Sequence, residues 1–411
     1  MEEMLPLSGI RILEFGYYVA GPLTGKLFAD FGGEVLVIEN EAYLRTHNSS
    51  RRPGLGAKDL TSLNQGNMFN RYGTNKLSLT LDLKNPGAIE LVKRLVAVSD
   101  IVMDNFAPQV MEKWGLTYDE LIKVKPDIIA LNMPTMGKGS IYEHHRAESW
   151  NLMAMAGFNY MSGTEGDMPI CPSLYSHPDV SCNPFHAMIA LLSALYYRTL
   201  TGKGQHIELS QFESTLCFTE TALFDFLVNG QTKDRIGNRS KHAAPHGVYR
   251  CKGEDRWCAI TIFNDDDWKA LCHVMDRDDL VTNENFRTIL QRLKNVEELD
   301  RILEEWTCKK SADEVMRLLQ SAGISAGKVQ DVVDLLEHDP QLKERKRWIE
   351  VDHPETGKSK GEGWGFKLLG SPEPRNQHAP LLGEHTDYVL QKILGLPEEE
   401  INQLIIDGVI G

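Results

Sequence analysis

Residues 10–39, IRILEFGYYVAGPLTGKLFADFGGEVLVIE, decide the fold class. Ile10–Phe15 is an apolar run of strand length, Leu23–Phe31 carries apolar side chains at helical spacing, and Glu34–Ile38 is a second strand. Strand, glycine turn, helix and strand form the unit of a parallel sheet, because parallel neighbours need a crossover between them. The alternation continues outward from this stretch. Leu77–Leu81 reads as a strand, and Pro86 opens a helix running to about Val98, where its missing N–H costs nothing. Strands follow at Asp100–Met103 and Asp127–Leu131, with a short helix at Tyr118–Val124 between them. A long helix from Asn183 to Thr201 stops at Gly202, with Asn183 before Pro184 as its expected cap. Gln205–Leu209 is a strand, and Ser210 with Glu213 makes a capping box for the next helix. Such alternation implies a parallel sheet covered on both faces.

Past residue 230 the texture changes. Gln231–Gly247 is polar, basic and reads as a linker. Beyond it lie strands at Gly247–Arg250 and Trp257–Ile262 and helices at Asp266–Val274, Val296–Thr307 and Ser311–Ser321, a smaller α+β domain. A proline- and glycine-rich stretch covers residues 337–385, and Asp387–Ile405 returns to helix. The 411 residues suffice for two cores, and 42% hydrophobic with 25% charged residues is an ordinary globular balance. The net charge of −14 argues against nucleic acid as a partner. Seven cysteines without a CxxC pair or zinc spacing read as reduced thiols of a cytoplasmic protein, with no metal site expected. The first residues lack a secretory pattern, and no apolar run reaches the roughly 18–20 residues of a membrane helix.

The glycine turn Gly16–Gly25 is an anion site in principle, since it leads from a strand to a helix N-terminus. Its spacing fits neither the dinucleotide fingerprint nor a P-loop. Arg71, Lys76, Lys84 and Lys113 add positive charge to the first half. A second stretch, Tyr175-Ser-His-Pro-Asp179-Val-Ser-Cys-Asn-Pro184, is rich in turn formers and precedes an apolar helix. Asp179 is acidic in a nearly uncharged segment and has no evident capping task, so it is the candidate reacting carboxylate. Nearby His177 and His186 read as a loop residue and a helix-face residue, and no GxSxG elbow is present.

Taken in order, these pieces resemble the class III CoA-transferases, the CaiB/BaiF type that includes formyl-CoA transferases. Ile12-Leu-Glu-Phe15 leads into Ala20-Gly21-Pro22, then Gly33–Glu39, Asn75–Asp82 and Asp104-Asn-Phe-Ala-Pro108. Asp179-Val-Ser-Cys-Asn-Pro-Phe-His186 with Arg198–Gln205 is the most specific block, and Pro245–Tyr249, Asp339–Leu342 and Pro380–His385 complete the series. The resemblance implies an open parallel Rossmann-like sheet formed by both chain termini, plus a small domain, in an interlocked-ring dimer. Residues 1–225 would begin the large domain, 226–330 form the small one with its linkers, and 331–411 complete the large one. The partner subunit would be a second copy or a paralogue.

The resemblance makes Asp179 a nucleophile that carries acyl groups and coenzyme A in turn, the general strategy of covalent catalysis. Acyl-CoA and a free carboxylic acid are then substrates, with no tightly bound cofactor. Motif positions assign coenzyme A contacts to Tyr17, Tyr18, Val19, Asn75, Lys76, Asn105, Phe106 and Lys113. Backbone N–H groups near 16–21 or 137–139 would meet the developing oxyanions. Asn40 stands where some members place an arginine, Pro134 where some have a lysine, and Tyr17 where the oxalate enzymes have a histidine, and Gly237–Gly247 stands in the region of the oxalate type's glycine-rich flap. This points toward larger acids, aryl-substituted ones such as benzylsuccinate or phenyllactate, with Arg239, Lys241 or His242 meeting the acid and succinyl-CoA a candidate donor. An α-methylacyl-CoA racemase on the same fold is the alternative. Against it, residues 142–150 hold His144 and His145 but no Gly-His-Asp pattern.

Overall fold

The computed structural model describes residues 4–46, 50–53, 61–172 and 177–410. The chain divides into two compact units, residues 1–159, 171–233 and 346–411 in one and 160–170 and 234–345 in the other. In the first unit, β1 (Arg11–Phe15), β2 (Glu34–Glu39), β3 (Leu77–Thr80), β4 (Ile101–Asp104), β5 (Ile129–Asn132) and β6 (His206–Glu208) form one sheet in the order β3-β2-β1-β4-β5-β6. Every neighbouring pair is parallel, as the strand–helix alternation requires.

Successive side chains of each strand feed two separate cores. Leu13, Phe15, Leu36, Ile38 and Val102 point to one face, where Leu91 and Leu95 of the Pro86–Ala97 helix cover them together with Val389, Leu390 and Ile401 near the C-terminus. Ile12, Val35, Ile101, Met103 and Ile129 point to the other face. There they meet Phe28 and Ala29 of α1 (Ala20–Asp30) and Ala187, Leu191 and Ala194 of the Asn183–Thr201 helix. No described helix is long and apolar enough to cross a membrane.

Three expectations need correction. The sheet is not built from both termini: all six strands lie between residues 11 and 208, and the return segment adds helices to one face instead. Among its described residues the strands are β10 (Trp348–His353) and β11 (Gly357–Glu362), which pair with each other. The stretch that follows carries Pro372, Pro374 and Pro380, which have no N–H for a ladder. It is held by isolated bonds: Gln377 N–H donates to Asn75 Oδ1 at 2.6 Å and Gly383 N–H to Ser78 Oγ at 2.9 Å, while Arg375 N–H and His385 N–H donate to the Asp30 and Ser78 carbonyls. Second, the C-terminal helix is interrupted. Gly395, at φ +66°, and Pro397 separate a turn through Ile393 from the Glu398–Ile406 helix. Third, Asn183 does not cap its helix, because a π-helical turn, Pro178–Cys182, extends the helix backward. Asn183 is buried, with its amide donating to Gln211 and accepting from Ser214.

The second unit holds an antiparallel sheet of β7 (His246–Arg250), β8 (Trp257–Thr261) and β9 (Ser325–Lys328), in that order. Its own core gathers around Trp268, Ile260, Phe286 and Leu303. Arg292, also buried, donates to the carbonyls of Ala244 and Phe286 and to Asp265.

Beneath β1 and α1 lies a fully buried ion pair. The Lys76 ammonium donates to both Glu14 oxygens at 2.8–2.9 Å and to the Pro22 carbonyl at 2.7 Å, which uses all three of its N–H bonds. Gly25 makes room for it, since a Cβ there would sit 1.9 Å from Glu14 Oε2. Helix propensity favours alanine over glycine by about 1 kcal/mol. Gly25→Ala is nonetheless expected to destabilise the protein by about 1–3 kcal/mol, the usual cost of overpacking. Urea denaturation checks this, and a variant as stable as the wild type would contradict the packing described.

Candidate active site

In a sheet of order 3-2-1-4-5-6 the connections leave in opposite directions at β1 and β4, and a crevice opens outside their carboxyl ends. The segments lining it are Gly16–Val19 after β1 and Asn105–Phe106 after β4. They are tied together by one side chain. Asn105 Nδ2 donates to the Tyr17 carbonyl at 2.9 Å, and its Oδ1 accepts from Tyr17 N–H at 3.2 Å. Gly16 and Gly21 flank this amide so closely that a Cβ at either would lie 3.1 Å from it. Tyr18, the next residue, sits at φ +66°, a left-handed conformation that a tyrosine adopts only at a cost. Its half-exposed ring remains open to solvent, while the Tyr17 ring packs on Tyr43 and Phe106 with centroids 5.0 and 5.5 Å away. Burial raises the Tyr17 hydroxyl pKa far above its ordinary range.

Asp179 stands in the π-helical turn. Its half-buried carboxylate accepts a short hydrogen bond from Ser149 Oγ, the first residue of the Ser149–Met155 helix. Val180, its neighbour, packs into an apolar cluster with Val19, Leu23 and Tyr72. The carboxylate turn is thereby seated against the β1–α1 segment. Tyr175 and Ser176, which begin the sequence motif around Asp179, lie outside the described residues. His177 Nδ1 lies 3.0 Å from Ser181 Oγ. His186 donates through Nδ1 to the Cys182 carbonyl at 2.9 Å, a helix-face role as expected.

The other candidates fall into distinct places. Asn75, at φ +66°, has its amide bonded to Asp30 and to the backbone of Arg375 and Gln377. Lys76 is the buried partner of Glu14, so both side chains support the site from within and neither faces the crevice. Lys113 is exposed on the short helix after Phe106. Arg239, Lys241 and His242 belong to the second unit, where Arg239 lies 3.8 Å from Glu297. In the backbone near 137–139, Lys138 N–H is spent on Glu208 and Gly139 N–H on Glu143. His144 and His145 are exposed.

Sequence reading missed two groups. Ser149 lies 30 residues from Asp179, and no local pattern connects them. Asp104 closes β4 as a buried carboxyl that accepts from Phe106 N–H at 3.0 Å and from Asn132 Nδ2. Asn132 Oδ1 in turn faces His206 Nε2 at 2.6 Å. Burial pushes the Asp104 carboxyl up to about 7, against the two hydrogen bonds that favour its charge.

Comparison with known proteins gives the family and the fold. The model of CoA-transferase family III matches residues 7–386. The chain is 29% identical over 405 residues to succinyl-CoA–D-citramalate CoA-transferase of Chloroflexus aurantiacus, covering 98% of both chains. It is 28% identical over 430 residues to formyl-CoA:oxalate CoA-transferase of Rhodopseudomonas palustris, covering 98% of this chain and 97% of that one. The solved structure of a CAIB/BAIF family protein from Brucella suis superposes with a TM-score of 0.84 at 25% identity, over 95% of this chain and all of that one.

Asp104 makes a pH prediction. Its folded carboxyl keeps a proton up to about 7, whereas the unfolded chain releases it near the ordinary value of 3.8. The native state therefore binds more protons between these limits, and stability falls as pH rises through them and levels off above. Asp104→Asn should remove this part of the slope in denaturation series across the interval. Identical slopes in variant and wild type would contradict the assignment.

Proposed function

The chain belongs to CoA-transferase family III, and on that premise we propose that it moves coenzyme A from an acyl-CoA donor to a free carboxylic acid through covalent intermediates on Asp179. The observation that carries the reading is the seating of Asp179 against the β1–α1 segment through Val180 and Val19, with Ser149 Oγ on its carboxylate.

The steps balance without an outside reagent. An Asp179 oxygen attacks the thioester carbonyl of the donor, the C–S bond breaks, and coenzyme A leaves as thiolate from an acyl-aspartyl anhydride. The thiolate attacks the aspartyl carbonyl and expels the donor's acid, which leaves an aspartyl thioester. The acceptor carboxylate attacks that thioester and releases the thiolate again. The thiolate then takes the acceptor's acyl group from the second anhydride and frees Asp179. A carboxylate suits this exchange because each attack is met by a leaving group of comparable kind.

Coenzyme A would lie across the crevice, on Tyr17, Tyr18, Val19, Asn105 and Phe106, with Lys113 toward its phosphates. Asn75 and Lys76 enter as supports of that surface. Succinyl-CoA is the favoured donor class, in keeping with the name of the citramalate relative. For the acceptor we keep an acid larger than oxalate, aryl-substituted acids included, with Arg239, Lys241 and His242 as its candidate recognition groups.

A partner subunit is part of the proposal. Phe185, Ile189, Leu192, Tyr196 and Leu200 form an exposed apolar stripe along the Asn183–Thr201 helix. The Glu220–Asn229 helix adds exposed Leu223, Phe224, Phe226 and Leu227. Apolar surface of this extent calls for cover, and an interlocked second copy or paralogue would supply it.

Asp179→Asn is expected to abolish coenzyme A transfer, since an amide is no nucleophile. Ser149→Ala should lower kcat by about tenfold or more, as a hydrogen bond to a charged group contributes about 1.5–3 kcal/mol. A transfer assay with succinyl-CoA and a panel of acids reads both. Near-native transfer by Asp179→Asn would refute the mechanism.

A further inference from the structure

A cavity of about 390 Å³ lies at the amino ends of β2 and β3, the end of the sheet opposite the crevice. Glu34 and Leu77, the first residues of those strands, line it with Asn75, while Arg375, Gln377, His385 and Tyr388 come from the return segment. Its size lies within the range of small-molecule sites.

The lining is rich in donors. Arg375 Nη1 reaches the Gly33 carbonyl at 3.4 Å, and no carboxylate of the described residues lies within 4 Å of its guanidinium. His385 Nδ1 accepts from Ser78 N–H at 3.4 Å, which places the proton of the neutral ring on Nε2. Gln377 and Tyr388 are exposed and add a carboxamide and a hydroxyl. The acidic member, Glu34, is ion-paired with Arg11. Asn75 is fully committed to Asp30 and the return segment, so it frames the cavity.

We propose that this cavity binds a small carboxylate at a site separate from Asp179. One guanidinium fork matches a planar carboxylate in two parallel hydrogen bonds. Neutral donors from His385, Gln377 and Tyr388 suit a carboxylate group, with one negative charge shared by two oxygens, better than phosphate, which concentrates up to two on one centre.

Calorimetric titration of the full chain with succinate tests the proposal and needs no catalytic turnover. One binding event should weaken by about tenfold or more in Arg375→Ala, which removes both hydrogen bonds of the guanidinium fork. Gln377→Glu, which places a negative charge on an exposed residue of the lining, should weaken the same event and keeps the test open if Arg375→Ala fails to fold. Asp179→Ala should retain the event, so that failure of the catalytic reading and failure of this one are told apart. A titration unchanged in both cavity variants would overturn the proposal. So would inorganic phosphate binding more tightly than succinate.

Discussion

The Lys76 ammonium, held inside the protein by Glu14 and the Pro22 carbonyl, is the constraint on which the crevice depends. Two charges withdrawn from water are tolerable only when fully hydrogen-bonded, so the geometry around them admits little variation. Burial raises the Glu14 pKa, and the adjacent ammonium pulls it back. Because Lys76 also grips the first turn of α1, the pair fixes where the helix begins relative to β1. The segment between them has few ways to connect. Asn105 then closes the same segment from the β4 side. Tyr18 in a left-handed conformation is what remains when both ends of a short turn are pinned.

A second buried pair ties the return segment to the sheet. Arg51 forms a bidentate ion pair with Glu39 at the end of β2 and donates to the Pro380 carbonyl. It stacks on Phe69 at 3.5 Å. The sheet edge and the C-terminal residues thus share one interior. The cavity proposed for a carboxylate lies along the same seam, between strand ends and return segment.

The sheet was legible because its strands are local. Each apolar run between Ile10 and Leu131 is short, bounded by glycine, proline or a helical pattern, and pairs with neighbours that the crossover rule nearly dictates. The return segment was misjudged for the opposite reason. Its attachment runs through isolated bonds to residues such as Ser78 and Asn75, about 300 residues away, and these leave no periodic trace. β9, with the sequence SAGK, lacks an apolar signal and is a strand only because β8 offers it an edge. At the site, Asp179 stood out as a carboxylate in uncharged surroundings, and motif order carried the role proposed for it. Ser149 and Asp104 could not be found that way, since their importance lies in contacts across the fold.

The covalent role of Asp179 is the central claim, and direct trapping tests it best. The purified protein is incubated with succinyl-CoA without an acceptor acid, quenched with hydroxylamine, digested and mapped by mass spectrometry. Hydroxylamine displaces coenzyme A or the acyl group from an activated aspartyl carbonyl and leaves a hydroxamate. The account predicts that hydroxamate on Asp179, dependent on the acyl-CoA. Modification of a different residue, or none at Asp179 in protein that is transferring coenzyme A, would contradict it.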